Sequence, residues 1–550
     1  MGRALVVGGI LLGASTGLRA QTAPSPGTIL KQSTPPPPLP TAPDSVLKLP
    51  GPSQQSADDS TPIPVTHIEL TGNSLISSNQ LKPLVQGLEG RTVTLGALQL
   101  AAQRITALYQ ERGYPLAHAF VPAQTITKGV VRIEVVEPHY DRIDIDDHSR
   151  LRMSQAKSTL GLSAGSAIAQ GGLERGLLLL NRTPGIRVAG TLVPGAQPAT
   201  STLQVRIDNT PLLHAAFYSD NYGNDSTGRA RIGGSLSLDN PLGHGAQLTL
   251  NALTSTNGLL HSYGFSVTSP DLSNGLRAGA YGSHTDYRLG GDFAALEMSG
   301  RVRQVGADLD YPLLMAPGRL IGLRLDALHN DFAQRSGVLA TDSRWHINLL
   351  RLSLNGAFAD SGGGLTSGGL SISRGVLGLD SADARNANNT GIGAPGEFWV
   401  GQLLLQRDQT LPLGWNLTVR FSGQLASRSL DGSEQFYLGG PYAVMSAPAN
   451  NGGGDDGVLL DARIMHPIPG IHTGRLQGGG MIQSGKVWRR SNAGTAGDDQ
   501  HLTGAGLIVD YQWQRTVNAS LAWSHPIWES RSGNGGNPRN ELWARLTVNF

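Results

Sequence analysis

Side chains that could do chemistry are few in this chain, and none is placed to do it. Gly161-Leu-Ser163-Ala-Gly165 has the Gly-x-Ser-x-Gly spacing of a nucleophile elbow. That elbow needs a strand before it and a helix after it, whereas this one follows a predicted helix and reads as a helix-ending turn. Asp455-Asp456 put two carboxylates in a glycine run without the alternating oxygen ligands of a calcium loop, and read as solvated loop. The 14 histidines show no ligand spacing, and the absence of cysteine removes thiolate sites and disulfides. No Gly-x-x-x-x-Gly-Lys-Ser/Thr nucleotide loop occurs. Arg420 is a lone cation on the polar face of an alternating segment and reads as a solvated lining residue. Neither an enzyme, a cofactor nor a bound metal is expected.

The stretch that does stand out is Gln435-Phe-Tyr-Leu-Gly-Gly-Pro-Tyr-Ala-Val-Met-Ser-Ala-Pro448. Gly439 and Gly440 are free to take positive φ, and Pro441 fixes the next turn. An apolar tip follows, then the run Asn450–Gly457. Strand-like alternation flanks it on both sides, so it is a structured loop held by the elements around it.

Those elements can be taken in order. With 73 glycines, 15% charged residues and a net charge of +2, the chain is polar without being ionic, which gives no electrostatic case for nucleic acid. Residues 1–20 have the charged start (Arg3), apolar core and small-residue end of a secretory signal. No later run approaches the ~20 apolar residues of a membrane helix, so insertion in a bilayer would require a closed barrel. Residues 21–62, with Pro35-Pro36-Pro37-Pro38 at their centre, are expected to form an extended proline-rich tether, with room for a short helix around Ile29–Gln32.

From Ile63 the period changes. A strand at Val65–Leu70, helices at Leu75–Leu88 and Leu95–Arg112 stopped by Gly113, and strands at His118–Gln124 and Val130–Val136 give β-α-α-β-β over 63–138. The order repeats over 139–209: a strand at Tyr140–Asp146, helices near Met153–Leu160 and Ala169–Asn181, and strands at Ile186–Leu192 and Thr202–Ile207. Over 210–550 long segments alternate apolar and polar. Trp415, Leu417, Val419, Phe421 and Leu425 share one face; Asn416, Thr418, Arg420, Ser422 and Gln424 share the other. Gln247–Leu253, Leu320–Leu328, Val517–Ser524 and Leu542–Phe550 behave alike. Apolar toward lipid and polar toward a lumen, they predict a mainly β chain, a transmembrane antiparallel barrel of about 16 strands. Tyr311-Pro312, Leu411-Pro412, His466-Pro467 and His525-Pro526 are expected at short periplasmic turns. Ser381–Pro395, Asn450–Gly457 and Arg490–Gln500 are expected as outer loops.

A signal, a proline-rich tether, two β-α-α-β-β units and such a barrel together resemble the two-partner secretion transporters, the hemolysin secretion/activation family of the Omp85 superfamily. Leu180-Asn181-Arg182-Thr183-Pro184-Gly185 with Val193-Pro194-Gly195 looks like the signature of the second POTRA domain, and Asp220-Asn221-Tyr222-Gly223 with Thr227-Gly228 looks like the first barrel strands. The resemblance makes 63–138 and 139–209 POTRA domains in the periplasm, below a barrel in the outer membrane of a Gram-negative bacterium. It makes about 436–457 a loop folded back into the lumen, with Leu438, Gly439, Gly440, Pro441, Met445 and Pro448 in the plug. Gln483 and Gly485 become its partners on the inner wall, and Phe550 the terminal signal read by the barrel-assembly machinery.

The family carries Arg at the loop tip and Asp on the wall, where this chain has Met445 and Gln483. Loss of one partner would strand a charge, while loss of both can be near neutral, so the loop is expected to dock by Met445 packing and Gln483 hydrogen bonds. The implied function is export of a large unfolded β-helical partner without nucleotide hydrolysis, with outer-membrane lipid as surroundings. The POTRA residues that would hold the client are not identifiable. An assembly factor of the same superfamily usually carries more POTRA units, and a diffusion porin has none.

Overall fold

A computed structural model describes residues 23–34, 36, 38–48, 62–390, 394–449, 451–470, 473–490, 499–531 and 539–550. The expected signal (1–20) and residues 49–61 of the tether lie outside the described residues.

The proline-rich segment is not extended throughout: the short helix for which the sequence left room around Ile29–Gln32 is present and longer. Helix α1 (Pro26–Ser33) starts at Ser25, whose side chain accepts from Thr28 N, with Pro26 in the first turn where its missing N–H costs nothing. Ile29 and Leu30 are buried, and this burial stabilises a helix too short to persist alone. Further on, Leu47–Lys48 forms a strand, β1.

The first α+β unit contains β2 (Pro62–Val65), β3 (His67–Thr71), α2 (Ser78–Val85), β4 (Arg91–Thr94), α3 (Leu95–Glu111), β5 (His118–Phe120) and β6 (Val130–Val136). One predicted strand is two here, because Thr66 N turns aside to bond Gly129 O. The sheet order is β3-β6-β5, with β2-β4 as a separate ribbon. Leu81, Leu98, Ile105 and Tyr109 bury one side of the helices against Val131 and Ile133. Gly113 takes φ +87 just past α3, as the helix stop requires.

The second unit contains β7 (His139–His148), α4 (Met153–Leu160), α5 (Gln170–Asn181), β8 (Ile186–Pro194) and β9 (Thr200–Asn209) in sheet order β1-β8-β9-β7. Gly161 caps α4 in the left-handed region, so Gly161–Gly165 is the helix-ending turn predicted.

A closed antiparallel barrel of sixteen strands follows, from Leu213–Asp220 to Glu541–Asn549, each paired with its chain neighbour. The first and last strands close it through Ala216↔Asn549 to Asp220↔Arg545. Leu350, Leu352 and Leu354 on one strand, and Leu370 and Ile372 on the next, stand exposed on the outer face, as lipid contact requires. Strands reach 19 residues, well beyond the ten or so of the predicted alternation.

The prolines need correcting. Leu411-Pro412 does lie at a turn. Pro312 and Pro467 instead sit within the last residues of their strands, and Pro526 is well inside Val517–Arg531. Register shifts at Pro312/Leu314 and opposite Pro526 at Thr503/Gly504 explain two of them, because a bulge excuses a missing N–H.

Candidate functional site

The loop between strands Asn416–Ala426 and Asp456–Ile468 enters the lumen. Its stem is a two-residue ribbon, Phe436–Tyr437 against Gly453–Gly454. Beyond it the backbone binds itself: Gly439 N donates to Asn451 O (2.9 Å) and Val444 N to Leu438 O (2.7 Å). Gly440 turns the chain at φ +123, a region that a side chain would strain. At Gly439 a Cβ would lie 2.4 Å from Pro448 O, so the two limbs touch only because this residue is glycine.

Leu438, Val444, Met445 and Ala447 are all buried. Leu438 packs with Val444, Leu459, Val487 and Leu502 of the wall. Its Cδ2 lies 2.7 Å from where a Cβ on Gly485 would be. The site residues named from sequence are therefore brought together, with Pro441 at the turn and Pro448 at the return limb.

The tip is held by its backbone. Met445 N donates to Gln483 Oε1 at 2.9 Å, and Met445 O accepts from Trp543 Nε1 at 2.7 Å. The Met445 side chain packs beside Met481, Tyr222, Ile508 and Trp543. Gln483 is fully buried and its Nε2 has no partner, which leaves one orphan donor where the family pattern places a carboxylate. Arg539 N adds a bond to Ser446 O (3.0 Å), and Arg545 donates to the Tyr442 hydroxyl (3.0 Å).

Trp543, Arg539 and Arg545 were not foreseen as site residues. In sequence Trp543 and Arg545 belong to a terminal alternating strand and Arg539 lies just before it, and only barrel closure brings that strand to the loop.

Asp455 corrects another expectation. It is fully buried instead of solvated; its carboxylate accepts from Leu430 N (2.8 Å) and Arg490 N (2.7 Å), pinning the loop base. Among the described residues no group of three or more His, Asp or Glu side chains could hold a metal. Arg420 faces inward as expected, but donates to Gln406 Oε1 (2.7 Å).

The second occupant of the lumen is α1. Ile29 packs with Leu253, Leu260 and Tyr287, and Leu30 with Val302, Phe332 and Trp345, so the helix touches two stretches of wall. Thr28 Oγ1 meets Tyr437 Oη at 3.0 Å, tying the helix to the loop. At the other end of α1, Arg231, itself paired with buried Asp220, donates to Gln32 O at 2.9 Å, a cation at the negative end of the helix.

The signature residues join the parts. Asn221 Nδ2 donates to Leu542 O and its Oδ1 accepts from Ala544 N, sewing the first strand to the last. Arg182 pairs with Asp310 of the barrel, Arg175 donates to Pro312 O (2.9 Å), and Gly185 (φ +82) lies against Asp239 and Asn240. Phe550 exchanges backbone bonds with Ala215 and sets its ring 6.0 Å from Phe217, on the outer seam.

A sixteen-stranded outer-membrane barrel with POTRA-like units beneath it, and a loop and a helix inside it, defines a transporter of the two-partner secretion class. The chain belongs to the haemolysin secretion/activation family ShlB/FhaC/HecB, whose model matches residues 199–510; a ShlB-type POTRA model matches 63–138. It is 24% identical over 458 residues to the heme/hemopexin transporter protein HuxB of Haemophilus influenzae, covering 82% of this chain and 81% of that one. Over 463 residues it is 24% identical to the hemolysin transporter protein ShlB of Serratia marcescens, covering 78% of each. The structure of CdiB from Escherichia coli has the same fold, with TM-score 0.76 at 18% identity over 91% of this chain and 93% of that one. Members of this family are outer-membrane transporters that work with secreted exoproteins and have their POTRA domains in the periplasm.

Proposed function

We propose that the chain takes up an unfolded β-rich exoprotein through its POTRA units and passes it to the cell surface without nucleotide hydrolysis. The observation that carries this is the content of the lumen. A polar-lined barrel is filled by α1 and by a hydrogen-bonded loop, where a passive pore would stand open. Polar walls keep an unfolded backbone hydrated, and POTRA sheet edges offer pairing to an extended chain. Folding of the client outside supplies direction; a client mutant that cannot fold there should cross more slowly, and passage at the normal rate would count against this source of drive.

The proposed division is a signal at 1–20, a tether at 21–62, POTRA domains at 63–138 and 139–209, and the barrel at 210–550. Within it, Leu438–Pro448 forms the plug on Gln483 and Gly485, and Phe550 is the signal to the assembly machinery before lipid closes round the barrel. Co-expression with a large secreted β-helical protein, if one is encoded beside it, followed by assay of surface release, tests the function. Release is expected; none at all would reject it.

A further inference from the structure

The wall of the barrel is tallest away from the seam. Strands Met298–Ala316 and Thr341–Ala359 have 19 residues each, and Arg319–Ser336 between them has 18. At ~3.3 Å per residue and a tilt of ~40°, such a strand rises ~45–50 Å, about twice the ~25 Å apolar band of an outer-membrane barrel. The turn at Gly318 lies on the POTRA side, where Arg175 of α5 donates to Pro312 O. The opposite ends of these strands therefore stand in the head-group layer of the outer leaflet and beyond it.

Alternation tells which side chains face out there. Val302 is buried toward the lumen, whereas Val305 (63% exposed) and Leu309 (46%) face lipid. Arg303 has the parity of Val305 and is exposed just above it. In register it is flanked by His284 on one neighbouring strand and Asp331 on the other. Neither nearby acid is left for it. Asp331 bonds His329 Nε2 (3.1 Å), and Asp286 takes both His284 Nε2 (2.7 Å) and Arg301 Nε (3.1 Å). Among the described residues Arg303 has no hydrogen bond or ion pair. It is the surplus cation in a web of Arg, His and Asp laid just above an apolar surface. The seam differs: Phe217, Ile232, Leu250 and Leu542 stand exposed on strands of 8 or 9 residues, whose arginines, Arg231 and Arg545, turn inward to Asp220 and Tyr442.

We propose that this face binds the phosphorylated saccharide head of the outer-leaflet lipid, with Arg303 donating to a phosphate and Arg301 and His329 beside it. A guanidinium offers a phosphate two parallel N–H bonds, and clusters of basic side chains at the edge of an apolar band hold anionic lipid heads. Position selects a lipid over a soluble anion: one molecule lays its acyl chains on Val305 and Leu309 and its phosphate on Arg303. An arginine with no partner inside the chain breaks no internal bond when the anion arrives, so all of its pairing goes into binding. The site needs only the outer-membrane barrel and is independent of any exported client.

Binding of bisphosphorylated lipid A to the full chain in detergent, read by thermophoresis of the labelled protein, tests this. Arg303→Gln is expected to weaken binding about tenfold or more, the share of a charge-assisted pair. Arg303→Lys keeps the charge but loses the fork, and should fall between the two. Arg142→Gln, the same charge change in the second α+β unit, should leave the affinity unchanged. Lipid A stripped of both phosphates should bind the wild type no better than the intact lipid binds Arg303→Gln. Because Arg303 holds no other side chain, the lipid-free Arg303→Gln variant should melt at the wild-type midpoint. Equal affinity of wild type and Arg303→Gln, or of intact and stripped lipid, would overturn the proposal. So would competition by inorganic phosphate at the lipid's own concentration, which would make Arg303 a plain anion site. A lower midpoint of the lipid-free variant would give the arginine an internal role and overturn it as well.

Discussion

Met445 and Gln483 show how a site can lose a charge pair and keep its geometry. The loop tip hangs on two backbone bonds, from Met445 N to Gln483 and from Trp543 to Met445 O, with the thioether filling an apolar niche. Met445→Arg would bury a cation opposite an amide, a destabilisation of about 3–5 kcal/mol. Adding Gln483→Asp supplies the missing anion and should recover much of that loss in thermal unfolding of the detergent-solubilised protein. Equal midpoints for the single and double variants would mean the two side chains do not meet. Trp543→Phe keeps most of the packing but removes the donor to a buried carbonyl. It should cost about 1–3 kcal/mol and raise the conductance noise of the barrel as the tip loosens. Quiet channels of unchanged stability would remove Trp543 from the anchor. The double departure from the family pattern was legible in sequence, and so was Gln483 as a hydrogen-bonding partner of the loop; that it accepts from the Met445 backbone was not. Trp543 was not, because its role depends on a contact across 98 residues of chain.

At the scale of elements, the POTRA repeat was readable because helix and strand periods are local. What sequence left out is how each unit is pinned. Glu137, at the end of the first unit, is buried and accepts from Ser74 N, Leu75 N and the Tyr109 hydroxyl. Burial works against its charge, but these bonds outweigh it and hold the carboxyl below the ordinary glutamate value. The sign follows: the folded pKa is depressed, so its stabilisation is complete above the unfolded value of ~4.3 and is lost as pH falls through the folded one. Melting of the first unit in the full chain should therefore drop in midpoint below about pH 4. In Glu137→Gln the midpoint should be lower at neutral pH and flatter in acid. An equally steep acid drop in that variant would assign the effect to other carboxylates. The short helix α1 shows the reverse case. Its cap residues Ser25 and Pro26 are in plain view, yet a segment so rich in proline leaves room for no more than a short helix around Ile29–Gln32 until a wall is present to bury Ile29 and Leu30.

For the whole molecule, the filled lumen predicts its own conductance. Deleting residues 24–33 removes α1 together with the Thr28–Tyr437 and Arg231–Gln32 bonds, and single-channel conductance should rise above that of the intact chain. No change would place α1 outside the conducting path. Sequence alone determined the barrel, because lipid on one side and water on the other impose a period of two on every strand, and that period survives without knowledge of which strands are neighbours. It also determined two α+β units and a loop whose frame is Leu438-Gly439-Gly440-Pro441. Tertiary structure alone decided what fills the barrel and what holds it. Closure sets the last strand beside the first, which brings Trp543 and Arg539 to the loop and Asn221 to the seam. It also gives α1 two stretches of wall to pack on, and lays Leu47–Lys48 along β8. These are contacts between parts far apart in the chain, fixed by the shape of the closed sheet and not by any local period.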